Sequence, residues 1–145
     1  MAKKKGKAKK KKLISPNIYR GKRKQSIARA SVSKGKGIIR INSVRLGAID
    51  NKYVRDIVSE PLHLAPQIAS QVNISVNVIG GGQMGQAQAA RVAIARALVG
   101  FSKDDNLKKK ILEYDRFMIA EDSRRVEPKK YKGPKARARF QKSYR

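Results

Sequence analysis

Residues 72–78, VNISVNV, alternate without a fault: Val72, Ile74, Val76 and Val78 fall on one side, Asn73, Ser75 and Asn77 on the other. A period of two is what a strand with one covered face requires. Residues 24–32, KQSIARASV, mix small and β-branched residues with partial alternation. IIRINSV at 38–44 sets Ile39 and Ile41 against Arg40 and Asn42. The turn KGKG at 34–37 lies between these two runs, and together they predict a β-hairpin.

The period then changes. Val54, Ile57, Val58 and Leu62 follow helical spacing within residues 51–65, and Pro61 predicts a break or kink there. The glycine-rich GGGQMG at 80–85 leads into a helix to about Val99, with Ala90, Ile94, Ala97, Leu98 and Phe101 as its apolar stripe. Ser102 with Asp105 three residues on resembles a capping box for a further helix. Leu107, Ile111, Tyr114 and Met118 continue that helix's spacing. Strands come first and helices later, so an α+β two-layer fold is expected, with helices packed on one sheet face.

Charge changes the picture at the two ends. The chain has 145 residues, with 36 Lys and Arg against 10 Asp and Glu, a net charge of +26. The first 24 and last 22 residues carry 21 of those 26 charges. The expected organisation is a lysine-rich arm over 1–17, a globular domain over 18–123 and an extended basic tail over 124–145. AKKKGKAKKKK at 2–12 has eight lysines in eleven residues, which repel and bury nothing, so this arm is expected to be disordered when free. In the tail, Pro128, Gly133 and Pro134 prevent one long helix, and Tyr131, Phe140 and Tyr144 are interleaved with the bases. From Pro128 onward it could reach about 60 Å when fully extended.

A chain this cationic calls for a polyanionic partner. Lys and Arg neutralise phosphates, Arg137 and Arg139 can grip them bidentately, and Phe140 and Tyr144 offer faces for stacking bases. With no Cys and a single His, a zinc finger and a disulfide are both excluded. His63 has no nucleophile or ligand partner by spacing and reads as structural. Asp104/Asp105 and Glu121/Asp122 are adjacent pairs beside many bases, placed for charge neutralisation rather than acid–base work. Neither an enzyme nor a cofactor is expected. No apolar run approaches the roughly 18 residues of a membrane span, so no membrane partner is expected. After the basic start come only Leu13 and Ile14 before Ser15 and Pro16, so no secretory signal is read and a cytoplasmic setting is expected.

Gly80-Gly81-Gly82-Gln83-Met84-Gly85 spells G-x-G-x-x-G between a strand and a helix, with Asp104 about 20 residues on. A dinucleotide site also needs a second parallel strand ending in that acid, and the chain is short for two such halves. A P-loop needs a Lys and a hydroxyl where Gln86 and Ala87 stand. Two readings of the turn stay open: backbone N–H groups approaching an RNA phosphate, or a tight turn for packing.

Four segments give a sharper expectation. GKRKQSIARA (21–30), GGGQMGQAQAARVAIARAL (80–98), DSRRVEPKKY (122–131) and GPKARARFQKSYR (133–145) resemble, in order and spacing, the universal small-subunit ribosomal protein family number nine. The likeness covers residues 18–145, and the triple glycine and the SYR ending resemble its archaeal and eukaryotic branch. It implies a left-handed βαβ crossover and a place in the subunit head among neighbouring ribosomal proteins. It also implies a tail whose end, Lys142, Ser143, Tyr144 and Arg145, meets the anticodon stem-loop of P-site tRNA. Ribosomal RNA contacts are then expected from Lys22, Arg23, Lys24 and Arg29, and at the turn from Gly81, Gly82, Gly85, Gln86 and Arg91. In the tail they are expected from Arg124, Arg125, Lys129, Lys130, Lys135, Arg137, Arg139 and Phe140. The competing classes are a non-specific nucleic-acid-packaging protein and a nucleotide-binding domain built on Gly80–Gly85.

Overall fold

Residues 17–141 and 143 are described by a computed structural model. Five strands form one sheet: β1 (Ile18–Arg23), β2 (Ser26–Lys34), β3 (Ile39–Ile41), β4 (Val44–Arg45) and β5 (Val72–Ile79). Their spatial order is β1-β2-β5-β3-β4, and only β3 with β5 is parallel. Between β3 and β5 run helices α1 (Lys52–Leu64) and α2 (Pro66–Ala69), which makes the connection a βαβ crossover. After β5 come α3 (Gln83–Ser102) and α4 (Asp105–Tyr114).

The β5 alternation holds: Val72, Ile74, Val76 and Val78 are all buried. Ala28 and Ala30 of β2 lie on the same covered face. Against it lies α3, which is buried nearly all round through Ala87, Ala90, Ala93, Ile94, Ala97 and Leu98. Its alanines allow close approach to the sheet. A side chain at Gly21 of β1 would overlap the Ala89 carbonyl and the Ala93 amide of α3.

The expected hairpin around residues 34–37 does not form. β5 enters between β2 and β3 and pairs with both. The Asn73 side chain supplies the physical reason. Its Oδ1 accepts from the Lys36 and Ile38 N–H groups at 2.9 and 3.0 Å, pinning the KGKG loop across the start of β5. The hairpin forms one turn earlier instead, between β1 and β2, with Lys24 in the left-handed region at φ 53°.

Asn51 caps α1, its side chain accepting from the Tyr53 N–H at 3.0 Å. Pro61 neither breaks the helix nor ends it at once. It sits in the last turn, where few backbone bonds remain to lose, and its ring is buried. Helix α4 is capped by Asp104, whose Oδ1 accepts from the Asn106 N–H at 2.9 Å. Ser102 is not that cap; it closes α3, its hydroxyl donating to the Val99 carbonyl at 3.2 Å. The stripe expected through Met118 ends at Ile111, because Asp115 stops α4 and caps a single 3-10 turn over Arg116–Met118. Met118 still reaches the core, from that turn, while Tyr114 is exposed.

Candidate nucleic-acid interface

The glycine turn packs against the β1–β2 turn. Gly80 and Gly81 have φ of 75° and 68°. The buried Ser26 hydroxyl donates to the Gly80 carbonyl at 3.0 Å, and a side chain at Gly81 would strike that hydroxyl. Gln86 Nε2 donates to the same carbonyl at 3.2 Å. The turn is thereby locked to the β1–β2 turn, which carries Arg23 and Lys24 to the mouth of an open hollow lined also by Gly82, Gly85 and Val126. No side chain caps α3 at Gly82. The strand a dinucleotide site needs is missing: no strand follows α3 among the described residues, and Asp104 is spent as a helix cap.

The predicted cations fall into two groups. Arg91 is held inside the protein between Glu60 and Asp115, the latter at 2.8 Å. Arg23 pairs with Asp122, a carboxylate whose side chain is only 6% exposed. Arg124 shares that carboxylate at 2.7 Å and lies over the Phe117 ring. By contrast Lys24, Arg29, Arg125, Lys129 and Lys135 are exposed and in no ion pair among the described residues. Lys22 is half-buried and equally unpaired among them. Ser143 is exposed; Lys142, Tyr144, Arg145 and nearly all of the lysine arm lie outside the described residues.

Arg96 is the side chain that sequence reading missed. Its guanidinium donates to the Ile119 carbonyl from Nε at 2.8 Å and Nη2 at 2.6 Å. Nη1 reaches the Arg20 carbonyl at 2.6 Å and Glu121 at 3.2 Å. Together with the Arg23–Asp122–Arg124 cluster it rivets residues 119–124 to β1 and α3, so the tail leaves the body from a fixed root. The only sequence signal was an arginine in the largely apolar C-terminal half of the helix.

Beyond the root, residues 125–141 contain neither helix nor strand, and Val126, Tyr131 and Phe140 are exposed. Glu127 binds Lys130 Nζ at 2.8 Å and Arg137 Nε at 2.9 Å, and Arg139 donates to the Tyr131 carbonyl at 2.9 Å. Lys130 first, then Arg137, holds the Glu127 carboxyl below its ordinary range. The sign follows: the clip is complete above the ordinary carboxylate pKa and opens as pH falls through the lowered value. It is exposed, so salt weakens it too. Glu127→Gln should therefore speed trypsin cleavage after Arg137 several-fold at neutral pH and low salt. Equal cleavage rates for the two chains would show that the clip does not hold the tail.

A family model described as ribosomal protein S9/S16 matches residues 21–145. The chain belongs to this family. The S9/S16 match starts at Gly21, the β1 glycine against α3, and runs through the whole tail. Among relatives, "Small ribosomal subunit protein uS9" of Methanothrix thermoacetophila is 46% identical over 125 residues, covering 86% of this chain and 95% of the relative. The protein of the same name from Desulfurococcus amylolyticus is 49% identical over 128 residues, covering 88% and 91%. The family match runs to Arg145, so the S9/S16 likeness includes the basic tail. Among the described residues no helix is long and apolar enough to cross a membrane, and no cluster of acidic or histidine side chains could hold a metal ion.

Proposed function

We propose that this chain is a structural protein of the small ribosomal subunit. Its domain sits in the subunit head against ribosomal RNA and neighbouring proteins, and its tail end contacts the anticodon stem-loop of P-site tRNA. The observation that carries this reading is the riveted root. Arg96 and Asp122 anchor residues 119–124 to the body, while the segment beyond is basic and aromatic-bearing, with no regular structure among its described residues. A body that fixes one end of a cationic strand can hold RNA with the domain and present the strand elsewhere. The family match, which extends to Arg145, supports treating tail and body as one unit. Ribosomal RNA contacts are assigned first to the unpaired Lys22, Lys24, Arg29, Arg125, Lys129 and Lys135. Arg23 and Arg91 serve the fold.

The test is removal of Ser143–Arg145 from the full chain. Truncated protein should still co-sediment with the small subunit through a sucrose gradient in moderate salt, while those subunits hold P-site tRNA several-fold more weakly. TRNA held as firmly as by intact subunits would refute the tail contact. Migration with bulk DNA instead would support the packaging reading.

A further inference from the structure

The sheet face turned away from α3 is exposed, and strand register decides what it presents. Arg20 lies opposite Arg29 on β1 and β2, and Arg40 lies opposite Arg45 on β3 and β4. Between these pairs runs β5, with Asn77 level with Arg29 and Ser75 level with Arg40. All six of these side chains belong to exposed residues. None of the four arginines is in an ion pair among the described residues, and no strand contains an Asp or Glu.

Like charges placed directly opposite each other across two strands are unfavourable. Here it happens twice on one face. The arrangement becomes favourable once an anion stands above each pair. The hairpin that carries Arg40 and Arg45 is also held in place. The Asn42–Ser43 turn between β3 and β4 has φ of 46° and 73°, the left-handed pair that a tight two-residue hairpin needs. The Asn42 amide donates to the Val78 carbonyl at 3.2 Å and its oxygen accepts from the Val78 N–H at 2.8 Å, tying that hairpin to β5. Because β5 separates β2 from β3, the nearest members of the two pairs, Arg29 and Arg40, stand about 10 Å apart across the sheet and about 7 Å apart along it. They are too far apart to share one phosphate.

We propose that this face docks the phosphate backbone of folded RNA, each arginine pair taking one phosphate and Ser75 and Asn77 hydrogen-bonding between them. The proposal rests on the ribosomal reading above. The face carries no aromatic ring on which bases could stack, so it meets the backbone and not the bases. Its larger apolar residues, Ile18, Ile27 and Ile79, lie toward the rim and not at the centre, unlike a protein-docking patch with an apolar core. The chain's own lysine arm cannot be the occupant, since it has the same sign as the face.

The chain has no cysteine, so Ser75→Cys gives a unique thiol on this face for a tethered hydroxyl-radical source. Assembled small subunits carrying it should show ribosomal RNA cleaved at a confined set of nucleotides. Lys109→Cys, on the exposed side of α4, should give a different set. In parallel, Arg29→Thr/Arg40→Thr should leave the melting temperature of the free full chain unchanged or raised. It should also weaken binding to a 20-base-pair RNA duplex by roughly tenfold or more near 0.1 M salt. Lys108→Gln/Lys109→Gln is the charge-matched control and should cost less. Subunits that contain the Ser75→Cys protein yet show no RNA cleavage from it would overturn the proposal, as would a crosslink from that thiol to a neighbouring protein instead. A marked fall in melting temperature for the arginine variant would also overturn it, since the arginines would then be serving the fold. Failure of the chain to enter the subunit would sink the ribosomal reading itself, and this proposal with it.

Discussion

Gly21→Val should cost the domain about 3 kcal/mol, toward the upper end of what overpacking a core does. The added side chain has nowhere to go, because it would meet backbone atoms of α3 at Ala89 and Ala93 rather than a movable side chain. Either β1 peels from the helix or α3 shifts, and α3 is the element that covers β1, β2 and β5. In a domain of this size such a loss lowers the melting temperature by about 10–15 °C, read from a circular dichroism melt of the full chain. Gly47→Ala is the control. Nothing lies within 4 Å of a side chain there, so its effect should stay within about 0.5 kcal/mol. Gly100→Ala should fall between them, since the added carbon meets the ring of Tyr19, a half-buried side chain with some room to move. Similar melts for Gly21→Val and Gly47→Ala would mean that α3 does not sit on β1 as described.

Local patterns in the sequence carried the elements but not their partners. β5 was legible because its alternation is strict, and α1 and α3 because their apolar residues recur at helical spacing. Pairing is different. Residues 24–32 and 38–44 look like neighbours across a short turn, but what decides is the Asn73 amide, which holds that turn from a strand 35 residues away. In the sequence Asn73 is only the polar half of an alternation. Charge was legible at the two ends for the same local reason, since composition needs no fold. Which cations are free was not, because Arg23 and Arg91 meet carboxylates brought from distant elements. The opposed arginines of the open face were equally hidden. Arg40 shows in the alternation, but its partner Arg45 emerges only once the Asn42–Ser43 turn fixes the register.

The distinction between free and paired cations sets the second large effect. Binding of the free chain to RNA should weaken by about 10³- to 10⁵-fold between roughly 50 and 200 mM salt if it engages about six to ten phosphates. Only cations that trade small counterions for phosphates contribute to that slope. Arg91 already faces Glu60 and Asp115, and Arg23 already faces Asp122, so neither has a counterion to release. Replacing either should disturb stability and leave the slope of log affinity against log salt in place. Losing a free tail cation such as Lys129 or Lys135 should reduce the slope by about one without disturbing the fold. Filter binding of the chain to a small-subunit RNA fragment at several salt concentrations, with a melt of each variant, separates the two groups. A slope that fell equally for Arg91→Gln and Lys135→Gln would contradict the division, because an internally neutralised guanidinium would then be behaving as a surface charge. A flat response to salt would show that RNA is held by shape and stacking, leaving the +26 of the chain without its expected role.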